Sequence, residues 1–183
     1  MMKATLFFCC VCLTLAGALF GQDATTDDHP ELRGWSSARW GMNLAELRAA
    51  FPAARPIDPP QRNLGALQRL RAAGVAFGPV QATAAFEFDP NADRLVAVTL
   101  DPDPAISATS AFSQLRAALV EKYGTPASEG TATHRTASGS VLRNRVVQWR
   151  MKHTTVTLTW YGEGDPVGMV AARYSERKSD SSL

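Results

Sequence analysis

Beyond residue 21 this sequence has no cysteine; Cys9, Cys10 and Cys12 are its only three. The remainder offers no thiol for a disulfide, a zinc site or nucleophilic attack, and must hold itself together by packing. A dominant charge is also missing. The chain carries 19 basic and 17 acidic side chains, a formal net of +2, and losing the first 21 residues takes Lys3 away and brings the balance closer to neutral. Nothing in that balance asks for nucleic acid or for an anionic membrane surface. Histidine is scarce, with only His29, His134 and His153, and no serine stands in a Gly-x-Ser-x-Gly elbow. Acid–base catalysis needs a histidine held between a nucleophile and an orienting carboxylate. Here His29 falls in a polar leader, His134 in a stretch of small residues and His153 at a hairpin tip, so no enzyme, metal or cofactor is expected.

The one long apolar run is at the start. Lys3 precedes uninterrupted apolar or small residues from Ala4 to Phe20, with Ala16, Gly17, Ala18 and Gly21 near the end. That is the layout of a secretory signal peptide cleaved after Ala18 or Gly21. A retained anchor is the competing reading, but about 17 residues are short for a span of roughly 20. Leu15-Ala16-Gly17 is like a lipoprotein box, yet Ala18 stands where the lipidated cysteine belongs. We expect a signal peptide over 1–21, a flexible leader over 22–34, a single domain over 35–175 and a disordered tail over 176–183. The destination is then the periplasm or the exterior, without stable membrane insertion after cleavage.

Within the domain, Ile106 to Pro126 is the clearest element. Phe112, Leu115, Leu119 and Tyr123 recur at three- and four-residue steps, which predicts a helix with one buried stripe. Ser107 or Thr109 suits its start, and Gly124 and Pro126 its end. A shorter helix follows Trp40-Gly41-Met42, with Asn43 and Glu46 spaced as a capping box, and stops at Pro52. Ala53 to Pro60 is predicted loop because of its prolines, and Leu67 to Ala72 strand. Period-two alternation predicts further strands from Val80 to Phe88, Val96 to Leu100, Val147 to Met151, Val156 to Trp160 and Met169 to Tyr174. Ala127 to Ser140 reads as loop or a weak edge strand.

LAELRAAF from Leu44 matches FSQLRAAL from Phe112 at an offset of 68 residues, and strands follow each copy. The expected fold is therefore α+β: two helices on one face of an antiparallel sheet of about six strands, an internal duplication of helix followed by strands.

Candidate chemistry dissolves into turns and surfaces. Asp89-x-Asn91-x-Asp93 begins like a calcium loop but has Arg94 where glycine is needed and Leu100 where the bidentate carboxylate belongs. Gly162-x-Gly164-x-x-x-Gly168 misses dinucleotide spacing. Arg150 and Lys152 alternate with Trp149, so cations and ring point to opposite faces and do not form a nucleic-acid platform. The polar face is more informative. With Val156, Leu158 and Trp160 inward, Thr155, Thr157, Thr159 and Tyr161 point outward, joined by Gln148, Arg150 and Arg173. Arg150, Tyr161 and Arg173 are the candidate binding residues, since tyrosine and arginine anchor protein interfaces.

Trp40-Gly41-Met42-Asn43 opening a helix, Phe86-x-Phe88 in a strand, Arg94-Leu95-Val96 starting the next, and Lys122-Tyr123-Gly124-Thr125-Pro126 ending a helix resemble secreted bacterial α+β proteins. Their layout is similar to the β-lactamase-inhibitor-protein and SmpA/OmlA group. The resemblance implies a small α+β domain that binds other proteins at or beyond the inner membrane, and it assigns no binding residues. Members held by disulfides or a lipid anchor carry cysteines where this chain has none. The expected function is a non-catalytic extracytoplasmic module that binds an unknown protein in the cell envelope or outside the cell. The alternatives are a carrier of a small apolar ligand, with Phe86, Phe88, Trp149 and Trp160 lining the layer between helices and sheet, or a hydrolase using His134 or His153.

Overall fold

Apolar residues on alternate positions of six neighbouring strands meet in one row across the sheet: Leu70, Phe86, Val98, Tyr174, Val156 and Trp149 are successive partners. All six side chains are buried, as period-two patterning on a half-covered sheet requires. The computed structural model describes residues 31–135, 141–163 and 168–177. The expected signal peptide, the expected leader up to residue 30 with His29, the expected tail beyond residue 177 and the side chain of His134 lie outside the described residues.

In chain order the elements are β1 (Gly34–Trp35), β2 (Ala38–Arg39), α1 (Leu44–Ala50), β3 (Arg55–Asn63), β4 (Ala66–Phe77), β5 (Val80–Phe88), β6 (Leu95–Pro102), α2 (Ala108–Tyr123), β7 (Ser128–Arg135), β8 (Val141–Arg150), β9 (Thr154–Tyr161) and β10 (Met169–Glu176). β1 and β2 form a small hairpin, and the other eight strands form one sheet in the order β3-β4-β5-β6-β10-β9-β8-β7. Every pairing is antiparallel.

The expected α+β fold with about six strands is thereby corrected. Among the described residues the chain is mostly β, with ten strands and two helices. The two strands beyond the six expected are the edges of the main sheet: β3 falls where a loop is expected, and β7 where a loop or a weak edge strand is. Ala53 to Pro60 was expected as loop because proline cannot donate to a ladder, but proline is tolerated on an edge. β3 pairs with β4 only at its ends, at Arg55–Pro56 and Gln61–Asn63, and the segment between them, with Pro59 and Pro60, bulges out of register. β7, the other edge, lacks apolar alternation because its sequence is SEGTATHR. The expected duplication is not shown, although the element order it calls for is present. Each helix is followed by four strands of the sheet, which is an order of connection, but α1 has seven residues and buries Leu47 alone, whereas α2 has sixteen and buries Ala111, Phe112, Leu115 and Leu119.

The helix ends follow local chemistry. The Asn43 Oδ1 accepts from the amides of Ala45 and Glu46 at 2.9 and 3.0 Å, and the Glu46 carboxylate accepts from the Asn43 amide at 2.9 Å, a complete capping box. Ser107 caps α2, and Gly124 closes it at φ +74°, a conformation that costs a residue with a Cβ. Two backbone bonds, Gly41 N to Leu95 O and Leu95 N to Met42 O, tie the start of α1 to β6. α1 and α2 pack on the same face: Phe51 beyond α1 lies 4.8 Å from Phe86 between ring centroids, and Phe112 lies 5.6 Å from Trp160. Among the described residues no helix lies on the opposite face.

Candidate functional site

Residues of the opposite parity build the face without helices. Arg71, Ala85, Thr99, Arg173, Thr157 and Gln148 are partners in one row, and Gln68, Glu87, Ala97, Ser175, Thr155 and Arg150 belong to the next. Such a face is usually solvated. Here its middle is buried: Ala85, Glu87 and Ala97 are fully inaccessible and Thr99 nearly so.

Glu87 is the centre of this burial. Its Oε2 accepts two bonds from the Arg173 guanidinium, at 3.0 and 2.8 Å. Its Oε1 accepts from Thr99 Oγ1 at 2.6 Å, from Asn63 Nδ2 at 2.6 Å and, more distantly, from Gln68 Nε2 at 3.4 Å. Five donor contacts on one carboxylate compensate its desolvation, which an unpaired buried charge would not survive. Asp101, farther along β6 on the same face, has its carboxyl pushed up by burial and by the Glu87 charge, against the pull of Arg71.

The three predicted binding residues occupy this face at different depths. Arg173 is committed to Glu87 and is a structural ion pair. Arg150 pairs with Thr155 across β8 and β9, is exposed, and its Nε donates to Gln148 Oε1 at 3.0 Å. Tyr161 is 41% exposed at the far end of β9. With Arg150 beside Thr155 and Arg173 beside Thr157, strand rise puts Tyr161 about 20 Å from the first and about 13 Å from the second, so they do not converge. Tyr161 instead has a neighbour that sequence reasoning passed over. Met169 is its direct partner on β10 and is 67% exposed. Met169 shares the parity of Arg173, so its outward direction was readable, but a methionine at a strand start looks like core. At the other end Leu64 is 75% exposed at φ +46° in the β3–β4 turn, a conformation bulky side chains avoid.

Asp89 Oδ1 accepts from the amides of Asn91 and Ala92 at 2.8 and 3.2 Å, closing the turn between β5 and β6. His153 Nε2 lies 3.4 Å from the Glu31 carboxylate, and the adjacent Thr154 hydroxyl is occupied, accepting from Trp40 Nε1 at 2.8 Å and donating to Leu32 O at 2.5 Å. Phe86, Phe88 and Trp149 are packed core, with Trp149 Nε1 donating to Gly124 O at 2.9 Å, whereas Trp160 is only partly buried, 5.6 Å from Phe112 between ring centroids. Among the described residues no helix is long and apolar enough to cross a membrane, and no cluster of His, Cys, Asp or Glu is suited to a metal. Compared with protein families, with characterised proteins and with solved structures, the chain gives no match.

Proposed function

We propose that this chain is an exported, non-catalytic module that binds another protein of the cell envelope or the exterior through the sheet face opposite its helices. The observation that carries the reading is the pair Tyr161 and Met169, two large side chains exposed side by side on adjacent strands of a face that no helix among the described residues covers. Tyrosine and methionine are enriched at protein interfaces, and threonines beside them provide a polar rim. Arg150 is the exposed cation at the other end of β9, and Arg173 serves by keeping Glu87 neutralised beneath the surface. The resemblance to secreted protein-binding modules leads to the same expectation, and the signal-like start accounts for export.

The test is site-specific photo-crosslinking in the producing cell. A crosslinker in place of Tyr161 should give an adduct of one defined mass, while one in place of Ser113 on the exposed side of α2 should give none. Tyr161→Ala with Met169→Ser should then remove the adduct formed from a crosslinker at Arg150. Equal adducts from both faces, or from neither, would sink the proposal.

A further inference from the structure

The two helices do not cover their face of the sheet completely. α1 spans seven residues, about 10 Å of helix, and Pro52 stops it before it can meet α2. Between the end of α1, the β1–β2 hairpin and the last turns of α2 lies an open groove of about 470 Å³, a size that suits a small organic ligand. Phe77, Leu119 and Tyr174 form its buried floor, and Trp35 and Phe51, stacked with centroids 6.0 Å apart, form one wall. These are not the aromatics expected from the sequence: Phe86, Phe88 and Trp149 fill the core, and the partly buried Trp160 lies elsewhere, against Phe112.

Two polar features mark the groove as more than a packing defect. Tyr174 is 98% buried, and among the described residues its hydroxyl has as partner only the Tyr123 hydroxyl at 3.4 Å, well beyond the usual 2.7–2.8 Å for two hydroxyls. Burial pushes the Tyr174 phenol well up, so it stays a neutral donor. At the mouth stands Lys122, its ammonium 5.3 Å from the centre of the Tyr123 ring. Among the described residues lining the groove it is, apart from the two tyrosines, the one titratable side chain, and none of them is a carboxylate. The apolar floor thus ends in a cation with a buried hydroxyl nearby.

We propose that this groove binds a small amphipathic anion: an apolar body over Phe77, Leu119 and Tyr174, and a carboxylate or similar head at Lys122. An amphipathic cation meets no acid among the described lining residues and is repelled by Lys122 at the mouth, so the site discriminates by head-group charge. The groove lies on the helix side of the sheet, opposite the face proposed to bind protein, and the two readings fail separately.

Calorimetry on the full chain with laurate and with dodecyltrimethylammonium, both below micelle formation, tests this. Laurate should bind one to one, at least tenfold tighter than the cation. Lys122→Glu should weaken laurate at least tenfold without moving the melting temperature, because Lys122 is exposed. Ala76→Trp, on the exposed lip of the groove, should block uptake with the fold intact. The proposal is overturned if wild type takes up no laurate, if the cation binds as well, or if both variants bind laurate like wild type, which would place the detergent-like ligand elsewhere on the surface.

Discussion

The two faces of the eight-stranded sheet are buried by different means. On the helix side, Leu70, Phe86, Val98, Leu100, Val156 and Leu158 are inaccessible because apolar side chains of two helices and a hairpin lie over them. On the other side, Glu87 is equally inaccessible without any helix above it, because Arg173, Thr99 and Asn63 close around its carboxylate. Burial of the first kind tolerates loss of a partner by leaving a cavity. Burial of the second does not, since removing one partner leaves a charge without water and without compensation. The open face is therefore closed at its centre, and its large apolar side chains are exposed at its ends, at Tyr161, Met169 and Leu64.

The sharpest way to break this comparison is to remove the cation. Arg173→Ala should destabilise by about 3–5 kcal/mol, the cost of an orphaned buried charge, and replacing the pair together as Glu87→Leu with Arg173→Met should recover most of it. Denaturant unfolding in which Arg173→Ala behaved like wild type would mean that Glu87 is hydrated and that the face has no buried centre. An engineered charge reversal at Arg173 is consequently a poor probe of binding. Next in size, Phe112→Ala or Leu119→Ala should cost about 2–5 kcal/mol, because each empties part of the layer under α2. Thermal melts unaffected by Leu119→Ala would place the stripe of α2 on the wrong side.

How much of this was legible differs by face for the same physical reason. Phe112, Leu115 and Leu119 announce themselves because a helix buries every third or fourth residue. Val80 to Phe88 does so through alternation, and Glu87 fits that alternation as a solvent-side residue. Nothing local says that Thr99, twelve residues away, and Arg173, far down the chain, will close over it. Nor does a local pattern reveal an edge. β3 contains Pro56, Pro59 and Pro60 and β7 is built from small polar residues, so both lack the signal that a two-sided strand carries. The candidate face was readable from parity at Thr155, Thr157 and Tyr161, but Met169 and the commitment of Arg173 needed the pairing of β9 with β10. The groove was not readable at all, because it depends on how far α1 falls short of α2.

A weaker pair of charges extends the comparison to pH. Glu129 lies on the helix side of the edge strand, where its carboxylate binds Arg116 and Arg145, each at 2.7 Å. Those hydrogen bonds hold its carboxyl below the ordinary value of 4.5, with burial opposing them. A lowered folded value gives stability that is present above pH 4.5 and lost as pH falls through the folded value. Both arginines are more than a third exposed, so solvent screens the pair and Glu129→Gln should cost about 1 kcal/mol or less at neutral pH. The cost should vanish in acid. Unfolding curves that showed the same difference at pH 3 and pH 7 would assign the effect to packing instead of charge.

Asp101, on the open face, has the opposite sign and the smallest effect. Burial raises its carboxyl above the ordinary value of 3.8, the nearby Glu87 charge adds to the rise, and Arg71 counters it. A raised folded value means that the protonated form is favoured by folding, so this contribution is complete below pH 3.8 and is lost as pH climbs through the folded value. Asp101→Asn should therefore match wild type in acid and exceed it at neutral pH. The side chain keeps access to solvent at the end of β6, which limits the gain to about 0.5 kcal/mol. Melting temperatures measured from pH 3 to pH 7 should diverge upward for Asp101→Asn while those of Glu129→Gln diverge downward. If Asp101→Asn instead lost stability at neutral pH, Arg71 would be the dominant neighbour and the open face would favour the ionised carboxylate.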